Sequence, residues 1–221
     1  MRSFGWTGEE VAQDTGIYRE TFCPAVMWPV TPLWLLETPN VDLELLGTRP
    51  KTGEADVICQ FQDRVEEKYR SHVIMFMDGS KDQATGATGA AFLVCGMNVR
   101  VCKRTSNSLS VFTVELFAIL MVVQWAGQLE DCEVLVCSDS MSAVKSIGMG
   151  SARGQQDLVY EVLLALRDVA RRGVRVSFMW EPAHVGIGAN ERVDRLAKEA
   201  VKRELVDVKL NLSKSEGKSV H

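Results

Sequence analysis

No stretch of about 18 consecutive uncharged apolar residues occurs in this 221-residue chain, so no membrane-spanning helix is expected. Glu9, Glu10 and Asp14 stand where an export signal would have its apolar core. The six cysteines, at positions 23, 59, 95, 102, 132 and 137, form no Cys-x-x-Cys pair, so neither a zinc ribbon nor a dithiol redox motif is indicated. An intracellular chain with free thiols is the expectation. Internal repeats and low-complexity tracts are missing as well. With 46% apolar and 24% charged residues the composition is ordinary globular usage, which excludes disordered and collagen-like classes. There is also no basic excess: the formal net charge is −4, whereas strong nucleic-acid binders commonly carry a basic patch.

The charge is unevenly spread. Residues 1–71 hold 7 basic and 12 acidic side chains, residues 72–204 hold 15 of each, and residues 205–221 hold 3 and 2. Five of the six prolines (Pro24, Pro29, Pro32, Pro39 and Pro50) fall in the first of these regions and interrupt regular elements there. Residues 1–71 therefore read as a proline-rich segment with no independent domain. Its part WPVTPLWLLETPNVDLELL suits an extended segment lying across another surface, and Asp63–Arg70 suits a short charged helix. From His72 the texture changes. Val73–Met77, Thr88–Val94, Asn98–Arg104, Glu133–Cys137 and Val174–Trp180 read as strands, the second and third joined as a hairpin through Cys95-Gly96. Val111–Ala126 reads as a buried helix, Met141–Ile147 as a short helix capped by Ser140, Gln155–Arg172 as an amphipathic helix and Asn190–Glu204 as the last one. The order βββ-α-β-αα-β-α predicts an α/β fold with a mixed sheet covered by helices. Residues 72–204 form the expected domain, and 205–221 a C-terminal tail.

Several acids sit in unusual surroundings. Glu115 is the only charge between Arg104 and Glu130, inside VFTVELFAILMVVQWA. A buried carboxylate needs a partner or must take up a proton; pairing with a surface arginine is the structural alternative. Asp78 and Asp139 each follow an apolar strand, in VIMFMD and VLVCSD. If those strands are parallel neighbours, both carboxylates emerge at one sheet edge, where α/β folds place their ligands. Turn and cap chemistry is the alternative for each. Asp194 lies beside the apolar stripe of the last helix. Four hard oxygen ligands suit Mg²⁺ or Mn²⁺ and not zinc. His184 lies in the loop Pro182-Ala183-His184-Val185-Gly186.

Taken in order, MFMDGS, TVELFAIL, LVCSDS and AHVGIGANERVDRLA resemble the motifs of the type 1 ribonuclease H family. His184, Asn190, Glu191 and Asp194 stand at the offsets of that family's final loop and helix. The flanks PLWLLETPNVDLEL and VKLNLSKSEGKSV resemble those of ribonuclease H domains in non-LTR retrotransposon polyproteins, where the domain follows a reverse transcriptase. The resemblance implies a ribonuclease H-like, mixed five-stranded sheet, three strands antiparallel and two parallel, flanked by helices. It implies endonucleolytic cleavage of the RNA strand of an RNA/DNA hybrid with two Mg²⁺ ions (or Mn²⁺), and no small-molecule cofactor. Asp78, Glu115, Asp139 and Asp194 would be the metal ligands, and His184 would complete the catalytic set. Gly79, Ser80, Asn190 and Glu191 would lie against substrate, with Lys103, Arg104, Arg171, Arg172 and Arg175 available for phosphates. The reverse transcriptase part of a parent polyprotein is the implied protein partner. The chain departs from the pattern at Gly188-Ala189, at Val193 and at Val111-Phe112, and no basic insertion interrupts Gln155–Arg172. A catalytically silent hybrid-binding remnant is the alternative; it predicts decay of at least one acid, and all four stand.

Overall fold

A computed structural model describes residues 31–47 and 54–210. Six strands, β1 (Asn40–Asp42), β2 (Val73–Lys81), β3 (Thr88–Val94), β4 (Val99–Thr105), β5 (Glu133–Ser138) and β6 (Arg175–Trp180), form one sheet in the order β1-β6-β5-β2-β3-β4. Among the described residues five α-helices accompany it: α1 (Glu54–Lys68), α2 (Val111–Ala126), α3 (Met141–Met149), α4 (Gln156–Ala170) and α5 (Gly188–Val201). β2, β3 and β4 pair antiparallel, whereas β5 pairs parallel with both β2 and β6.

The expected five-stranded sheet is therefore corrected to six strands. The sixth, β1, comes from the proline-rich region and pairs parallel with β6 through Asn40, Val41 and Asp42. Three residues carry no readable alternation, so only the exposed edge of β6 selects this pairing. The charged helix expected at Asp63–Arg70 begins nine residues earlier, at Glu54, because Val57 and Phe61 supply a buried face.

The sheet separates two apolar clusters. On one face α2, α3 and α4 cover Met75, Met77, Val134, Val136 and Phe178. On the other, α1 and α5 cover Phe76, Leu93, Leu135, Cys137 and Met179. This alternation along β2, β5 and β6 is the period of two that a sheet covered on both faces requires. α2 is buried nearly all round, as its apolar sequence anticipates, and its start is capped by Ser110, whose Oγ accepts from the Thr113 N–H at 3.1 Å. Ser140 does not cap α3 through its side chain, contrary to expectation. Instead its N–H donates to Ser138 Oγ at 3.1 Å. Two glycines set how closely the layers approach. A Cβ on Gly79 would come within 2.7 Å of the Glu115 backbone nitrogen in α2, and one on Gly89 within 2.8 Å of Ala200 in α5. Among the described residues no helix is long and apolar enough to cross a membrane, and Cys59, Cys95, Cys102, Cys132 and Cys137 are free.

Candidate active site

The parallel register of β2 with β5 pairs Phe76 with Cys137. Asp78 and Asp139 each lie two residues further on, so both carboxylates reach the same level at one end of the sheet. Asp78 still lies within β2, which runs on to Lys81, while Asp139 is the first residue past β5. Glu115 arrives from α2, whose backbone crosses β2 at the space left by the missing Gly79 side chain. Carboxylate oxygens of Asp78, Glu115 and Asp139 lie within 4.8 Å of one another.

Among the described residues no lysine or arginine pairs with these three carboxylates. Asp78 is 6% exposed and Glu115 5%, and the Oε2 of Glu115 is buried without a hydrogen-bond partner. Among the described residues, no arginine pairs with Glu115 as a structural role would need. Burial, with the charges of Asp139 and Asp194 beside it, pushes the Asp78 carboxyl up to about 7, against the pull of the Gly79 backbone hydrogen bond and of Lys198. Burial together with Asp78 and Asp139 holds Glu115 well above the ordinary glutamate range. Asp139 is raised by burial and by Asp194, opposed by a 3.4 Å hydrogen bond from Asn190 Nδ2 and by His184. Three hard oxygen donors with neither histidine nor thiolate among them fit a divalent cation of the magnesium class.

Asp194, the fourth expected ligand, stands outside this close group. It lies on α5 and forms an ion pair with Lys198 one turn on, at 2.8 Å, while still raising the Asp78 and Asp139 carboxyls through its charge. Asn190 and Glu191 fall in the first turn of α5, which starts two residues earlier than its sequence pattern indicated. Asn190 is buried against Asp139 and Glu191 is exposed. His184 is exposed in the loop leading into α5, with a left-handed backbone at φ +57° that is rare for a residue with a side chain. Gly79 is buried under α2, and Ser80 is half-buried beside it.

Sequence reasoning missed Glu181. It follows β6 directly, is 0% exposed, and has both carboxylate oxygens unpartnered. Burial and the Asp139 charge hold it well above the glutamate range. The signal was the one that singled out Asp78 and Asp139: an acid closing an apolar strand, here in VSFMWE. The basic residues expected to take phosphates are largely engaged. Arg104 is buried and donates to the Thr88 and Thr105 carbonyls and to Asn107. Arg171 pairs with Asp168, Arg172 donates to the Gly127 carbonyl, and Arg175 pairs with Glu133.

The family model for RNase H matches residues 70–202, more than half of the chain. The chain belongs to the RNase H family. Membership implies nuclease chemistry, a hydrolase acting on RNA/DNA hybrids, and the use of divalent metal. The RNase H match begins at Arg70, two residues before the start expected from sequence texture. It contains the three clustered carboxylates together with Asp194, His184 and Glu181. β1 and the whole of α1 lie before the matched residues, and β1 pairs with β6 of the RNase H sheet.

Proposed function

We propose that residues 72–204 act as an endoribonuclease that hydrolyses the RNA strand of RNA/DNA hybrids with two divalent cations, Mg²⁺ or Mn²⁺, and no small-molecule cofactor. The observation that carries this reading is the trio Asp78, Glu115 and Asp139, drawn together at one sheet end with no basic partner among the described residues. Three buried acids in such proximity are strongly unfavourable as anions unless a cation enters. Asp78 would be the shared ligand, Glu115 and Asp139 would serve the ion on the attacking-water side, and Asp194 the ion on the leaving-oxygen side. The ions, when bound, supply neutralisation of charge on the phosphate and a water acidic enough to attack it.

The chain's own residues do the rest. Asn190 holds Asp139 in place through its 3.4 Å hydrogen bond. His184, which acts on Asp139 through its charge, and Glu191, both exposed, would move a proton or speed product release. Ser80, beside the acids, would approach the RNA strand, where a 2′-hydroxyl distinguishes RNA from DNA. Gly79 contributes mainly by its lack of a side chain, which lets α2 deliver Glu115. The flanking sequences support an origin in a retrotransposon polyprotein, with its reverse transcriptase part as the partner and an intracellular setting.

The decisive experiment is cleavage of an end-labelled RNA/DNA hybrid by the full chain with Mg²⁺, with EDTA, and with Asp139→Asn. Metal-dependent internal cuts in the RNA strand that vanish in the variant support the reading. Hybrid binding without cleavage identifies a silent remnant instead. The domain boundary has its own test: a chain beginning at Ser71 is expected to fold, melt at a lower temperature and cleave. An unfolded product would place β1 and α1 within the obligatory core.

A further inference from the structure

A cavity of about 190 Å³ lies against α5, lined by Arg100, Arg192, Arg195, Leu196 and Glu199. None of the carboxylates of the acid cluster takes part in it. Arg192, Arg195 and Glu199 recur at i, i+3 and i+7, so they share one stripe of the helix, while Asp194 and Lys198 occupy the neighbouring stripe. Arg100 reaches the same cavity from β4, one of the two edge strands of the sheet.

The state of these arginines sets them apart. Eight of the twelve arginines in the described residues donate to a carboxylate or a carbonyl: Arg64, Arg70, Arg104, Arg167, Arg171, Arg172, Arg175 and Arg203. The remaining four are Arg100, Arg153, Arg192 and Arg195, and three of those four line this single cavity. Glu199 lines it as well and forms no ion pair with any of them, although it stands one turn from Arg195. Three exposed guanidiniums gathered around a concavity repel one another, and Glu199, the acid on its wall, is paired with none of them. Their planar forks match phosphate oxygens, to which arginine binds in a bidentate manner.

We propose that Arg100, Arg192 and Arg195 form a phosphodiester-binding subsite, on the stripe of α5 beside the one that carries Asp194, which takes the backbone of a polynucleotide strand. The identity of the strand as part of an RNA/DNA hybrid rests on the function proposed above; the recognition of phosphate does not. One helix then serves both ends of the task. Its Asp194 stripe completes the acid site, and its arginine stripe anchors backbone beyond the acids. Such an anchor supplies affinity without sequence preference. It also answers the neutral charge of residues 72–204, since what binds phosphate is the local arrangement of unpaired guanidiniums and not the net charge.

The test is binding of a labelled RNA/DNA hybrid to the full chain in EDTA, where no cleavage occurs, at a series of salt concentrations. The triple variant Arg100→Ala/Arg192→Ala/Arg195→Ala is expected to lower the slope of log Kd against log salt by about 2 to 3, since each lost phosphate contact removes roughly 0.9. Replacing the same three residues by Lys is expected to retain most of the slope. Glu199→Gln is expected to tighten binding, an opposite change that a purely structural role would not produce. An unchanged slope in the alanine variant overturns the proposal, as does loss of the slope in the lysine variant despite a native melting curve. Preferential competition by an acidic peptide over single-stranded RNA overturns it too, because the occupant would then be protein. Should the wild-type chain bind with the expected slope yet cleave no hybrid when Mg²⁺ is added, the hydrolytic reading falls and the subsite stands.

Discussion

Asp42 and Asp78 are both buried aspartates, 3% and 6% exposed, yet their surroundings are opposite. Asp42, at the end of β1, accepts from Arg64 at 2.8 Å, from Lys68 at 3.0 Å and from the Tyr69 hydroxyl at 2.8 Å. Its other oxygen accepts from the Glu44 N–H at 3.2 Å. Burial alone would raise this carboxyl, but the hydrogen bonds from Tyr69, Glu44, Lys68 and Arg64 outweigh it and hold the group at about 2. Asp78 has acids where Asp42 has cations, and burial adds to their effect instead of being overcome. The pair distinguishes two uses of a buried acid. One is satisfied within the chain and clamps α1 to β1. The other is left unsatisfied, which is destabilising for a fold and useful for binding a cation.

The comparison breaks most visibly in activity. Asp139→Asn is expected to leave the fold intact and lower hybrid cleavage at least a thousandfold, about 4 kcal/mol of transition-state stabilisation. Single-turnover cleavage alongside circular dichroism checks it, and turnover within tenfold of wild type would remove Asp139 from the catalytic set. Asp42→Ala is the reciprocal change. It strands Arg64, Lys68 and Tyr69 without their acceptor and is expected to destabilise the fold by about 3 kcal/mol, with the cleavage rate of the folded protein unchanged. Denaturant unfolding measures the first effect, and cleavage well below the melting temperature measures the second.

Smaller effects sharpen the contrast. Glu115→Gln removes one of three crowded carboxylates, so in EDTA at pH 8 it is expected to stabilise the protein by about 1 kcal/mol, seen as a rise of a few degrees in Tm. The same change should abolish cleavage and the Tm increase produced by Mg²⁺. A lower Tm in EDTA would mean that Glu115 has a structural partner after all. The pH dependence separates the two aspartates by sign. Asp78, at about 7 in the folded chain and about 3.9 unfolded, makes metal-free stability fall as pH rises from about 4 to 7. Asp42, at about 2 folded, makes stability fall as pH drops from about 4 towards 2. Melting across this range in EDTA should show Asp78→Asn flattening the neutral side only and Asp42→Asn the acid side only. The reverse assignment would contradict both environments.

Much of the fold was legible because its signals are local. The apolar runs ending at Asp78 and Asp139, the charge-poor stretch around Glu115 and the helical spacing of Leu158, Val162, Leu166 and Val169 each lie within one element. A period of 2 or 3.6 can be read inside a window of that size. Within residues 72–204 element ends moved by at most four residues, whereas the start of α1 moved by nine. The spacing from His184 to Asp194 also lies within one loop and the first two turns of one helix, so these residues could be singled out before any packing was known.

Tertiary structure decided whatever depends on pairs distant in the chain. The three residues of β1 have no strand signature; the open edge of β6, more than 130 residues away, gives them one. No local pattern shows that Asp42 meets Arg64 and Tyr69 or that Glu181 is buried without a partner. Nor does any local pattern show that Arg100 joins Arg192 and Arg195 across β4 and α5. Asp194 has the right spacing, yet its place outside the close trio follows from how α5 crosses the sheet over Gly89. The amino-acid sequence by itself determined the type and order of the elements and the acids at their ends, because hydrophobic periodicity and local spacing act within a segment. Which of those acids would be neutralised and which left bare was decided only on folding, because charge interactions depend on distance in space.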